Sequence, residues 1–92
     1  MVKRHILVTG RVQGVGFRAF TQAQAVKFRI AGWVRNLGYN QVEIEAEGDL
    51  ELMTKFLELI KLGPTNSRVD HLEVEDLSIS IPANSFEVRA SR

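Results

Sequence analysis

The chain has no cysteine and only two prolines among its 92 residues. The first absence excludes disulfide staples, thiolate-ligated zinc and a cysteine nucleophile, and leaves the redox compartment unmarked. Long apolar runs are lacking too. The apolar stretches cover a few residues each, far short of a bilayer span. Behind the basic start Met1-Val2-Lys3-Arg4, the run Ile6-Leu7-Val8 is too short for a signal-peptide core. Acids are missing from an entire segment. Residues 1–42 carry seven bases (Lys3, Arg4, Arg11, Arg18, Lys27, Arg29, Arg35) and no Asp or Glu.

What is present is globular composition, with 45% hydrophobic and 25% charged residues. It predicts a soluble protein with a single domain over residues 1–92, no membrane association, a cytoplasmic default location and a monomeric state. The net charge of +1 hides the asymmetry, because residues 43–92 hold all eleven acids and five bases. An acid-free segment carries positive potential where its bases gather, which suits an anionic ligand. The alternative is that these bases pair with the acidic half across the fold.

Residues 4–12 alternate as a strand, with Ile6, Val8, Gly10 and Val12 against more polar neighbours. Gly14 and Gly16 break that pattern before helix formers from Phe17 to about Phe28, whose apolar face is Phe17, Phe20 and Phe28 with Ala23 and Val26 to one side. Gly32–Leu37 reads as a second strand, Gly38-Tyr39-Asn40 as a turn in which Gly and Asn tolerate positive φ, and Val42–Glu47 as a half-buried third strand. Asp49 can cap a second helix in which Leu50, Met53, Leu57 and Ile60 recur at helical spacing, and Gly63-Pro64 stops it. Residues 68–80 and 85–90 supply the last strands. The order predicts an α+β fold, a ferredoxin-like βαββαβ sandwich with an antiparallel sheet of four to five strands and two helices on one face.

The loop Gln13-Gly14-Val15-Gly16-Phe17-Arg18 joins the first strand to the first helix. Its glycines let backbone N–H groups turn inward, and the helix that follows aims its unpaired N–H groups and positive dipole end at the same place. That makes an anion cradle, to which Arg18 adds a planar fork able to grip two phosphate oxygens. A Gly-x-Gly match alone is common and equally describes a plain strand-to-helix connection. Topology adds a neighbour. A right-handed βαβ unit brings the C-terminal ends of its two strands to one sheet edge, so Asn36 meets the loop. Asn36 offers donors and an acceptor and could hold a water molecule; by itself it also fits a turn asparagine bonding its own backbone.

Gly10-Arg11-Val12-Gln13-Gly14-Val15-Gly16-Phe17-Arg18 resembles the first signature of the acylphosphatase family, and Gly32-Trp33-Val34-Arg35-Asn36 with Val42-Glu43 resembles the second. Chain length, element order and Gly63-Pro64 fit as well. The resemblance implies that Arg18 binds the substrate phosphate beside the amides of Gln13, Gly14, Val15, Gly16, Phe17 and Arg18. It implies that Asn36 positions the attacking water, and that a small acyl phosphate is hydrolysed to carboxylate and inorganic phosphate without metal or cofactor. A carboxylate leaves readily, so a site without His, Asp or Glu can suffice. The chain departs from the pattern in three places. Gly38-Tyr39-Asn40 stands for the usual Asp-Gly turn and would put Tyr39 at the mouth of the site, Arg29 stands where glycine often follows the first helix, and Thr65 replaces a proline.

Other residues have plainer expectations. Trp33 reads as core or edge packing, His5 and His71 as structural or exposed, and Glu43, Glu45 and Glu47 as solvated on one strand face. Arg11 and Arg35 could add to the field around the site. Two rival functions remain, a non-catalytic anion-binding domain and single-stranded RNA binding on the sheet face. Asn36 argues against the first, since anion binding alone does not need it. The acidic third strand, which lacks aromatic platforms, argues against nucleic acid.

Overall fold

A computed structural model describes residues 1–79 and 82–92. The elements are β1 (Val2–Arg11), α1 (Phe17–Lys27), β2 (Ala31–Leu37), β3 (Gln41–Gly48), α2 (Leu50–Leu62), β4 (Arg68–Leu77) and β5 (Phe86–Val88). The five strands form one sheet in the order β4-β1-β3-β2-β5. β1 pairs antiparallel with β3 and β4, and β2 antiparallel with β3. This is the ferredoxin-like α+β arrangement. One expectation is corrected, because β5 pairs parallel to β2 and the sheet is therefore mixed. The fourth strand, expected over residues 68–80, ends at Leu77, with Ser78 and Ile79 outside it, and Ser80 lies outside the described residues.

Period-two alternation puts Ile6 and Val8 of β1, Val34 of β2, and Val42, Ile44 and Ala46 of β3 on one buried face. The helices cover that face: α1 packs on β2 and β5, and α2 on β3 and β4. Met53, Phe56 and Ile60 of α2 are fully buried, while Leu50, expected among them, is exposed. On α1 the buried side chains are Phe17, Thr21 and Ala25. Val26 is 70% exposed and Ala23 is exposed, so the expected apolar face of α1 is rotated. Thr21 reaches that buried stripe because its hydroxyl donates to the Phe17 carbonyl at 2.8 Å, so its own polar group is paired. Among the described residues no helix is long and apolar enough to cross a membrane.

Local signals end the elements as expected. The Asp49 carboxylate caps α2 by accepting from the N–H groups of Glu51 and Leu52, at 3.1 and 3.2 Å. Gly63, at φ 68° and ψ 174°, takes a positive-φ conformation open to glycine and stops α2 before Pro64. After α1 a positive φ falls to a non-glycine residue, Arg29, at φ 56°. Gly32 allows close approach: a Cβ there would lie 1.9 Å from the Glu45 carbonyl oxygen. In the β2–β3 turn the positive φ belongs to Gly38 and not to Asn40, whose carbonyl instead accepts from the Gly10 N–H at 3.0 Å.

The open face of the sheet is not the row of solvated acids that alternation suggests. Glu43 sits between Arg35, 2.6 Å from its nitrogen Nε, and His5, 2.7 Å from Nε2. Burial pushes the Glu43 carboxyl up, but hydrogen bonds and charge from His5 and Arg35 outweigh it and hold the group below its usual value. Glu45 pairs with Lys3 at 3.1 Å. Glu47 is only 4% exposed, because residues 83–85 fold over it and its Oε2 accepts from the Ala83 N–H at 3.3 Å. These ion pairs join the basic first half of the chain to the acidic second half, as the alternative reading of the charge asymmetry required.

Candidate active site

The loop between β1 and α1 turns on two glycines, Gly14 at φ 72° and Gly16 at φ 78°. A Cβ at either would meet nothing within 4 Å, so backbone conformation and not crowding calls for glycine there. Gly16 is the N-cap of α1 and supplies no side-chain cap, and the first turn of α1 contains no acid. The leading N–H groups of α1 are thus left to an external acceptor, with the positive end of the helix dipole behind them. Phe17 anchors this turn in the core at 1% exposure and meets Phe20 edge to face, with ring centroids 6.1 Å apart.

Gly14, Gly16, Phe17 and Arg18 line a cleft of about 310 Å³ together with Asn36. Asn36 shares its face of β2 with buried Val34, the face turned toward the helices. The expected meeting of Arg18 and Asn36 at one sheet edge is therefore present in the structure. Gln13 and Val15 do not line the cleft. Val15 packs against the core, and Gln13 points its side chain into the β2–β3 turn. Tyr39, expected at the mouth, is 87% exposed and does not line the cleft.

Arg18 makes no ion pair with a carboxylate among the described residues. Its Nη1 donates instead to the Arg89 carbonyl at 3.1 Å, which steers the guanidinium without neutralising it. Arg35 does not add to this field, since its charge is spent on Glu43 across the sheet. Among the described residues no group of three His, Cys, Asp or Glu gathers.

The segment from Phe86 onward contributes what sequence reasoning missed. Val88 lines the cleft beside Ala19 and Gln22, and the Gln22 amide donates to the Phe86 carbonyl at 3.2 Å. The Arg92 N–H donates to the Asn36 carbonyl at 2.9 Å, so this segment holds the backbone of Asn36 as well as the side chain of Arg18. The Arg89 guanidinium and that of Arg35 each lie 4.8 Å from the ring centre of Trp33, which gives that lone tryptophan its structural role. Nothing in residues 85–90 signals pairing with β2, because a three-residue strand has no readable partner.

The comparisons with known proteins agree with this geometry. The acylphosphatase family model matches residues 4–88. The acylphosphatase of Bifidobacterium longum is 44% identical over 97% of this chain and 93% of its own length. The crystal structure of acylphosphatase from Bacillus subtilis superimposes with a TM-score of 0.93 at 39% identity, covering 97% of this chain and 99% of that one. The fold also matches part of a larger protein, the HypF of T. kodakarensis, with a TM-score of 0.84 and 36% identity, over 97% of this chain and 12% of that chain. The chain belongs to the acylphosphatase family.

Proposed function

We propose that this chain hydrolyses the carboxyl–phosphate bond of small acyl phosphates by water attack on a phosphate held by the loop amides and Arg18. Family membership carries the reaction class. The observation that carries the mechanism is the single cleft shared by Gly14 and Gly16 of the β1–α1 loop, Arg18 of α1 and Asn36 of β2.

In this mechanism the phosphate lies at the N-terminus of α1, with the loop amides and the unneutralised Arg18 on its oxygens. Those donors oppose the charge that builds on the equatorial oxygens in the transition state. Asn36 orients water on the far side of the phosphorus from the acyl oxygen. A bond forms between the water oxygen and phosphorus, the bond from phosphorus to the acyl oxygen breaks, and the electron pair leaves on the carboxylate. An amide cannot take the proton of the water, so a phosphate oxygen of the substrate takes it. A pH profile controlled by an enzyme group near neutrality would count against that assignment.

The proposal also takes residues 1–92 as one domain acting as a monomer in the cytoplasm. One sheet that includes both Val2 and Val88 supports the single domain. On the open face Lys3 and Arg35 are already paired with Glu45 and Glu43, and Glu73 and Glu75 of β4 add negative charge beside them, which disfavours a nucleic-acid partner.

The test is phosphate release from acetyl phosphate with a chelator present, in wild type and in Arg18→Ala and Asn36→Ala. Turnover should survive the chelator and fall at least ~100-fold in each variant, as expected for a lost transition-state contact. Equal rates in wild type and Arg18→Ala would sink the mechanism.

A further inference from the structure

We propose that the Gln13 side chain is a positioning residue that holds the anion cradle in register with Asn36. This inference rests on the hydrolytic reading above. Gln13 begins the cradle directly after Val12, which is 1% exposed and fixed in the core. Its Nε2 donates to the Gln41 carbonyl at 2.9 Å and the Gly38 carbonyl at 3.0 Å, with the Leu37 carbonyl at 3.3 Å. Leu37 follows Asn36 in the chain, and Gly38, at φ 62°, turns its peptide group toward the same amide. One NH₂ group thus gathers three carbonyls of the turn that ends the strand carrying Asn36.

An NH₂ group has two hydrogens, so one of the three contacts is shared. That makes the tie specific for an amide donor. A hydroxyl has one hydrogen, and a carboxylate would set oxygen against oxygen. No cradle residue that lines the cleft makes a hydrogen bond to this turn among the described residues. Gly10 N–H to the Asn40 carbonyl and Gln41 to Thr9 attach this turn to β1 before the cradle begins, and Arg92 bonds the backbone of Asn36 and Gly38 from the C-terminal segment. The segment after Phe86 ties the Arg18 side chain to the Asn36 backbone from one side, and Gln13 is the tie that fixes the start of the amide cradle against the same turn from the other. A misplacement of about 1 Å between cradle and turn costs about 100-fold in rate.

The test uses Gln13→Ala and Gln13→Glu with acetyl phosphate, measuring kcat, KM and inhibition by inorganic phosphate. In Gln13→Ala, kcat should fall about 10-fold or more, while KM and phosphate inhibition change less than about 3-fold, because the amides and Arg18 still bind phosphate. In Gln13→Glu, kcat should be lowest near about pH 7 and recover in part toward about pH 5, as a protonated carboxyl regains one donor. The wild-type profile, run in parallel, should show no such rise. Trp33 fluorescence and the melting temperature report folding in each variant. An unchanged kcat with a lowered melting temperature in Gln13→Ala would overturn the proposal in favour of a purely structural tie. Loss of phosphate inhibition equal to the loss of kcat would overturn it in favour of direct ligand contact. If Gln13→Ala fails to fold, a Gln13→Glu profile parallel to wild type overturns it equally. Absence of turnover in wild type would refute the hydrolytic reading itself, which separates the two failures.

Discussion

Arg29 shows how a single residue can carry a cost that the fold absorbs. It follows α1 at φ 56°, a conformation that crowds a Cβ and that glycine, having none, adopts freely. Its N–H donates to the Val26 carbonyl at 3.3 Å, a geometry glycine would reproduce. Arg29→Gly should raise stability by about 1 kcal/mol, read as a higher urea midpoint with an unchanged slope. The sequence made this residue visible, since a non-glycine stands where the helix must stop. Glu47 and Gln13 were less legible. Alternation assigned Glu47 to a solvated face, but residues 83–85 cover that face in space. Gln13 stood in the signature without a stated role for its side chain, because a carbonyl cluster formed by a distant turn leaves no local pattern.

At the scale of elements, Glu43 joins three strands. It lies on β3 and bonds His5 of β1 and Arg35 of β2. Its carboxyl is held below the ordinary value of 4.5 in the folded chain. A depressed carboxylate contributes stability that is present above its unfolded pKa and is lost as pH falls through the folded one. Acid should therefore destabilise the wild type progressively below about pH 4.5. Glu43→Gln should lose part of that dependence and be the less stable protein at neutral pH, checked by urea unfolding across a pH series. Strand existence and helix ends followed from period and caps, as with Asp49 and Gly63-Pro64. The pairing of β5 with β2 did not, because three residues carry no register signal. The face of α1 was misjudged for a related reason: Thr21 is buried by bonding its own helix, which hydrophobicity cannot register.

At the scale of the whole molecule, the acid-free half and the acidic half are joined by ion pairs, Lys3 to Glu45 and Arg35 to Glu43 among them. Arg18 is left out of that pairing and lines the cleft with Asn36. Topology made this meeting legible in advance, since a βαβ crossover brings the ends of its two strands together. The contribution of the segment after Phe86 was hidden, although it holds both Arg18 and the Asn36 backbone. The central claim is that water attacks phosphorus in this cleft, and the path of oxygen tests it directly. Acetyl phosphate would be hydrolysed by the wild type in water enriched in heavy oxygen, at enzyme levels that outrun spontaneous decay. The account predicts that the label enters inorganic phosphate and that the acetate carries none. Label in the acetate would mean attack at the acyl carbon and would contradict it.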